Sequence, residues 1–214
     1  MVRTGRRAAA LQHMLIKAGL HPAPLPPPPR LAQLSGDAQA AIEAVYQALG
    51  GSAPMLRLRP GSWDLAFADG LVIELDEELH FNRYRAQTLH SLAAAALPWH
   101  EDYLWYSSRY EQNCLAAGKW ERRWSTTRCE TMFGPPGPPG VLVGRRLASM
   151  ETTRALRRCQ RHRCDALDHA VRLARLSIWD SVGGMPLGDG LYEKAQIDPA
   201  QVAAILARRT STSA

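Results

Sequence analysis

Three carboxylates near one another in the sequence could do chemistry together: Asp64, Glu74 and Asp76. Side chains alternate between the faces of a strand, so Glu74 and Asp76 are expected on one face. Carboxylates brought together repel one another and call for a cation, and Mg²⁺ or Mn²⁺ prefers such oxygen ligands. A bound ion of this kind can polarise a phosphodiester, lower the pKa of water and stabilise the leaving oxyanion. The pattern therefore indicates phosphodiester hydrolysis at a metal site.

A β-hairpin is predicted to position these acids. Strand-like runs at 63–67 and 71–76 flank Ala68-Asp69-Gly70, which suits a three-residue loop with Gly70 left-handed. The loop pairs Phe67 with Leu71, Leu65 with Ile73, and Asp64 with Glu74. A one-residue slip would bury the carboxylates, so the apolar pattern selects this register. A hairpin whose wet face simply carries solvated acids fits the same pattern and remains an alternative.

The surrounding elements predict a mixed α/β sheet flanked by helices. We predict five helices: 3–20, one from an N-cap at Asp37 to Gly50-Gly51, 81–97, 153–170, and one from Asp198-Pro199 to about 208. Two further strands are predicted over 55–59 and 171–179. The proline-rich stretch 22–29 predicts a stiff linker. The expected domains are an N-terminal basic helix and linker (1–30), a main domain (31–182) with an insertion at about 98–153, and a C-terminal loop and helix (183–214).

An α-β-β-β start with Asp on the second strand and Glu on the third resembles the PD-(D/E)xK, or restriction-endonuclease-like, superfamily. The chain resembles a variant branch containing very-short-patch-repair endonucleases and small bacterial domains with an E-x-D-G-x-x-H motif. The matching stretches are Trp63-Asp64-Leu65, IELDEELH at 73–80, Arg163-Cys164-Asp165 and the strand-like run at 171–182. The resemblance covers about 38–85 and 154–182, and it implies an α-β-β-β-α-β core.

The resemblance also implies roles for individual residues. Asp64, Glu74 and Asp76 would be catalytic metal ligands, helped by the Leu75 carbonyl. Glu43, on the first helix of the motif, would be an outer-shell or additional ligand. His80 would activate water or contact the phosphate, since histidine titrates near neutral pH; a cap or surface role is the alternative.

The motif departs from the family pattern at two positions. Glu77 stands where those relatives have Gly, and Asp76 stands where typical members have Lys. Because an Asp carries no positive charge, it would have to ligate the metal or orient water. Loss of the Lys also leaves room for a catalytically inactive descendant that only binds nucleic acid.

The charge of the chain favours a polyanionic partner. Formal net charge is +6, and nearly all the basic residues are arginines, as suits a nucleic-acid-binding surface. Arg83, Arg85, Arg158 and Arg163 are candidates for contacts to the nucleic-acid backbone. A solvated surface in an Arg-biased protein is the alternative. Aromatic residues in the insertion could stack on bases, although packing against the core explains them equally simply.

Other cofactors and compartments are less favoured. Cys159, His162 and Cys164 lie close in sequence, but their spacing matches no recognised zinc knuckle and a helix would splay them, so we expect no structural Zn²⁺. No secretory signal or membrane-length apolar run is visible. The acid-free first twenty residues resemble a mitochondrial presequence, but a basic helix explains them too. A cytoplasmic protein, without a membrane partner and with oligomers possible, is expected.

The sequence therefore predicts a metal-dependent endonuclease acting on nucleic acid, with DNA as the expected substrate, in repair or defence. Two alternatives stay open. One is an inactive nucleic-acid-binding module of the same fold. The other is a structural or interaction protein whose acidic hairpin is only a solvated face.

Overall fold

The computed structural model describes residues 5–27, 32, 34–52, 54–55, 62–90, 92–118, 127–134 and 172–210. The chain divides into two compact units. The first contains the described residues in 5–27, 62–77 and 172–210, and the second contains those in 32–55 and 78–134.

The described residues of the first unit include a three-stranded mixed sheet. Its strands are β1 (Leu65–Phe67), β2 (Leu71–Asp76) and β3 (Arg172–Ser177), in the order β1-β2-β3. β1 and β2 are antiparallel, whereas β2 and β3 are parallel. Asp69 and Gly70 have φ angles of 59° and 68°, the left-handed conformation of the predicted loop. The hairpin, its register and the strand near 171–179 are therefore confirmed.

Two further segments join the edges of this sheet. The backbone N–H of Ala23 donates to the Ala66 carbonyl at 3.0 Å, and the Ala68 N–H donates to the His21 carbonyl at 2.8 Å. Thr210 forms an isolated antiparallel bridge to Ala174 of β3. The first residues of the proline-rich stretch thus lie against the edge of β1. A separate small hairpin is formed by β4 (Ser181–Val182) and β5 (Met185–Pro186).

The described residues of the first unit also form the helices α1 (Arg6–Lys17), α8 (Leu187–Leu191) and α9 (Pro199–Arg209). The helix predicted after Asp198 is confirmed, and its cap carboxylate accepts a hydrogen bond from the Ala200 N–H at 2.9 Å. Leucines of α1 and apolar residues of α9 share one core with one face of the sheet. Its strand and helix members include Leu11, Leu15, Leu65, Phe67, Leu71, Ile73, Leu75, Leu176, Val202, Ile205 and Leu206.

The second unit is helical in the part that the structure describes. It contains α2 (Gly36–Ala48), a 3₁₀ helix (Glu78–His80), α3 (Arg83–Leu89), α4 (Leu92–Ala95), α5 (His100–Arg109), α6 (Glu111–Ala117) and α7 (Thr127–Phe133). Gly50 adopts φ 87° after α2, so the predicted end of that helix is confirmed. Tyr46 packs so closely beside Gly51 that a Cβ at this glycine would collide with the ring.

Two helix predictions are corrected. The N-cap of α2 is Ser35, whose hydroxyl accepts from the Ala38 N–H at 3.3 Å, and Asp37 lies in the first turn instead. The single helix predicted over 81–97 is wrong, since α3 and α4 are separate. Asn82 caps α3 by accepting from the backbone N–H groups of Tyr84 and Arg85, both at 3.0 Å, so that helix begins two residues later than predicted.

The predicted α/β class is confirmed by this mixture of helices with a mixed sheet. The predicted strand residues 56–59 and the predicted helix 153–170 lie outside the described residues. None of the helices in the described part of the chain is long and apolar enough to cross a bilayer.

Candidate functional site

The parallel pairing of β2 with β3 brings charged residues together on one face of the sheet. Glu74 is the register partner of Arg175, and Asp76 is the partner of Ser177. Paired positions place their side chains on the same face, opposite the apolar face that α1 and α9 cover. The predicted sharing of a face by Glu74 and Asp76 thus follows from the strand geometry.

One guanidinium bridges both of these carboxylates. Arg175 Nη2 lies 3.2 Å from Glu74 Oε2, and Arg175 Nη1 lies 3.3 Å from Asp76 Oδ2. All three residues are buried, with exposed fractions of 1% for Glu74, 0% for Asp76 and 4% for Arg175. Charges removed from water to this extent need close partners, and each carboxylate finds one in the same guanidinium.

Asp64 differs from these two carboxylates in two ways: it is exposed, and it is held by a backbone N–H group. Its Oδ2 accepts a hydrogen bond from the backbone N–H of Leu75 at 2.8 Å. Asp64 directly precedes β1, so its side chain takes the place of a strand carbonyl beyond the end of the ladder. This bond ties the Asp64 carboxylate to β2 at the residue between Glu74 and Asp76.

The donor types suit a hard divalent cation, since the three carboxylates are the oxygen ligands that Mg²⁺ and Mn²⁺ prefer. The formal charges of Glu74, Asp76 and Arg175 sum to −1, and Asp64 makes this −2. Within the described ranges, however, no three acidic, histidine or cysteine side chains are gathered closely enough to hold a metal ion. Any ion bound here would therefore have to share Glu74 and Asp76 with Arg175.

A second buried ion pair fixes the end of β3. Asp180 accepts from the Ser177 N–H through Oδ2 at 2.8 Å, and its Oδ1 lies 2.7 Å from Arg209 Nη2. Asp180 is 1% exposed and Arg209 is 7% exposed. This pair connects α9 to the turn after β3, close in sequence to Arg175.

The residue that follows β2 contacts the N-terminal helix. Arg7 Nη1 of α1 lies 3.5 Å from Glu77 Oε1, and the Arg7 guanidinium stacks 4.1 Å from the centre of the Tyr192 ring. The Arg7 side chain is only 5% exposed. Glu77, which replaces the Gly expected from the motif, thus has a partner of opposite charge.

Glu43 and His80 belong to the second unit, whereas the three carboxylates belong to the first. Glu43 is exposed on α2, and His80 is partly exposed at the end of the 3₁₀ helix. Their predicted roles, as a ligand and as a base or phosphate contact, remain predictions.

The arginines proposed to contact nucleic acid fall into three situations. Arg83 is exposed but pairs with Glu111, with Nε and Nη2 at 2.7 and 3.0 Å from the two carboxylate oxygens. Arg85 is 5% exposed and lies over the Tyr103 ring at 5.5 Å, a position that does not suit a backbone contact. Arg158 and Arg163 lie outside the described residues.

The pair formed by Arg83 and Glu111 perturbs both groups. The hydrogen bond to Glu111, followed by its negative charge, raises the pKa of Arg83. Burial alone would raise the pKa of Glu111. The hydrogen bonds from the Arg83 side chain and backbone, together with the guanidinium charge, outweigh this and lower the pKa of that carboxyl.

The cysteines offer no described zinc cluster. Cys114 and Cys129 are both buried, while Cys159, His162 and Cys164 lie outside the residues that the structure describes. Buried thiols of this kind behave as small apolar side chains.

Sequence reasoning missed the central role of Arg175, which it counted only as one of many basic residues. The available signal was an Arg inside a predicted buried strand, where a charge needs a partner. Its partners lie about a hundred residues earlier in the chain, so the signal becomes specific only once β2 and β3 are paired.

Residues 44–193 match the model of a family described as a family of unknown function, DUF7255, and the chain belongs to that family. The matched segment contains the hairpin and β3, whereas α1 and α9 lie outside it. No curated protein and no solved structure gave a match.

Proposed function

We propose that this protein is a metal-dependent nuclease that hydrolyses phosphodiester bonds, with DNA as its substrate. The observation that supports the proposal most is the hairpin register, which places Asp64 beside the strand carrying Glu74 and Asp76. Acidic residues are disfavoured inside strands, and these two lie on a single strand face beside a shared guanidinium. The proposed core is the restriction-endonuclease-like one that the motif resembles.

In this proposal Asp64 and Glu74 hold Mg²⁺ or Mn²⁺, with Asp76 as the third carboxylate. A bound ion would polarise an oxygen of the phosphodiester and lower the pKa of a water molecule. The Leu75 N–H fixes the orientation of Asp64, and Arg175 fixes Glu74 and Asp76. His80 and Glu43 belong to the second unit, so their predicted roles stay predictions and are not part of the proposed metal site.

The net charge of +6 supports a polyanionic substrate. A cytoplasmic location and a role in DNA repair or defence accompany this proposal. Of the four arginines first considered, Arg158 and Arg163 remain the proposed backbone contacts. Arg83 and Arg85 are left out, because one is paired with a carboxylate and the other is buried.

A second candidate is a nucleic-acid-binding module without catalysis. It is favoured by the burial of Glu74 and Asp76 and by the guanidinium that already pairs with both. In that case the charged cluster holds β2 to β3, and the protein binds nucleic acid equally well with or without metal.

The test is cleavage of supercoiled plasmid and of single-stranded DNA in Mn²⁺, Mg²⁺ or EDTA. The decisive variant is Asp64→Asn, because Asp64 is exposed and Asn retains an oxygen that can accept from the Leu75 N–H. The matched control is Asp69→Asn, an exposed residue of the hairpin loop whose φ of 59° Asn tolerates well. Glu74→Gln adds a second ligand variant once circular dichroism shows that it folds.

Cutting that needs metal, falls at least about a hundredfold in Asp64→Asn and persists in Asp69→Asn would support the nuclease. Equal cutting by the two variants, or none by the wild type, would overturn it. DNA binding in EDTA without cutting would favour the second candidate. An absence of binding at low salt would leave the structural or interaction protein.

A further inference from the structure

The carboxylates proposed as metal ligands already have a cation of the protein's own. Arg175 reaches Glu74 with one terminal nitrogen and Asp76 with the other, at 3.2 and 3.3 Å. The planar fork of a guanidinium can contact two neighbouring carboxylates through separate nitrogens, whereas an ammonium offers a single nitrogen. Arg175 is positioned for this contact by the backbone, since the parallel register sets it beside Glu74.

A divalent ion at this face would bind the same two carboxylates. It would also stand within a few ångströms of the guanidinium, and like charges at such distances repel strongly where water is largely excluded. Each of the three side chains is at most 5% exposed, so solvent screens this repulsion little. Arg175 and the metal ion cannot both interact fully with Glu74 and Asp76.

We propose that Arg175 is an internal competitor of the divalent cation, and that it sets the metal affinity of the site by occupying Glu74 and Asp76. The inference rests on the metal binding in the proposed function, but not on cleavage. Arg175 is accordingly a positioning residue: it holds the carboxylates in one orientation and weakens metal binding relative to the same carboxylates without it.

The experiment is a titration of untagged full-length protein with MnCl₂ in the absence of DNA, with free Mn²⁺ measured by electron paramagnetic resonance. Arg175→Met removes the charge but keeps a long apolar stem. Arg172→Met is the matched control on the same strand, since residue 172 pairs with Leu71 on the opposite face. The Arg175→Met/Glu74→Gln double variant checks that any tighter binding occurs at these carboxylates.

Competition predicts that Arg175→Met binds Mn²⁺ at least about tenfold more tightly than wild type, because the repelling charge is gone. Arg172→Met should bind as wild type does, and the double variant should lose the gain. If Arg175→Met does not fold, Arg175→Lys provides the test: the charge is kept but contacts the carboxylates through one nitrogen instead of two, so binding should tighten by a smaller factor.

Equal or weaker Mn²⁺ binding in the folded Arg175 variants would overturn the competition. In that case, loss of Mn²⁺ binding in Asp64→Asn would still support the metal site of the proposed function, although Arg175 would not compete for it. Tighter binding in Arg175→Met together with absent DNA cleavage would overturn the nuclease and support the competition. No Mn²⁺ binding by the wild type or by the Arg175 variants would overturn the metal site and the competition together.

Discussion

Replacing Arg209 by Met should destabilise the first unit strongly. Arg209 Nη2 lies 2.7 Å from Asp180 Oδ1, and both residues are buried. The variant leaves a carboxylate in the interior without this cation, and breaking a buried pair on one side costs about 3–5 kcal/mol. In a chain of 214 residues, this corresponds to a fall of about 6–20 °C in Tm.

The assay is thermal unfolding followed by circular dichroism, with urea unfolding as a second measure. Arg208→Met is the matched control, because it makes the same change one residue earlier at an exposed position and should shift stability by about 0.5 kcal/mol or less. Adding Asp180→Asn to Arg209→Met removes the negative charge of the Asp180 carboxylate but keeps an acceptor for the Ser177 N–H. The double variant should therefore be more stable than Arg209→Met alone.

A buried ion pair should separate the two variants by more than about 1 kcal/mol in free energy of unfolding. A smaller difference between Arg209→Met and Arg208→Met would refute this role of the pair. A double variant that is less stable than Arg209→Met would also contradict it. In that event the Asp180 carboxylate would not depend on Arg209 for its neutralisation.

Two further predictions concern other contacts. Glu111→Gln should cost about 0.2–1 kcal/mol at neutral pH, a small amount because Arg83 is 68% exposed. Folding lowers the pKa of Glu111, so the extra stability of the wild type over Glu111→Gln should be fully present above the ordinary pKa of 4.5. It should disappear as the pH falls through the lowered pKa of the folded protein. Urea unfolding at a series of pH values measures this difference in free energy of unfolding. Leu11→Ala should lower the free energy of unfolding by about 2–5 kcal/mol, because Leu11 is buried. Ile16→Ala is the control on the same helix: Ile16 is 44% exposed, so its loss should change the stability by about 0.5 kcal/mol or less. Similar Tm values for the two variants would place α1 outside the core.

Local signals sufficed for the hairpin. Strict alternation and a loop ending in Gly70 leave one register that keeps the apolar side chains together, and the structure has that register. The placement of Asp64 next to the strand of Glu74 followed from the same argument.

Competition between equally good local signals explains the corrected helix starts. Ser35 and Asp37 are both favoured N-cap residues, two positions apart, and the earlier one caps α2. Asn82 lies inside an apolar helical pattern, but its side chain bonds two backbone N–H groups and begins α3 there.

The contact between Arg175 and Glu74 could not be predicted from either neighbourhood. It depends on which strands pair and in what register across about a hundred residues. The same limit applies to Asp180 and Arg209, whose pairing requires α9 to pack back against the end of β3.

The packing of α1 with α9 around one core has a consequence for synthesis on the ribosome. Roughly 180 residues separate the end of α1 from the start of α9, so at about 5–20 residues per second the first helix emerges about 10–40 s before its partner. Until β3 has emerged the β2 edge of the hairpin is unpaired, and until α9 has emerged the apolar face of the sheet is only partly covered; unpaired strand edges with exposed apolar surface favour aggregation. Nascent chains of this protein should therefore be most prone to aggregation before α9 has emerged.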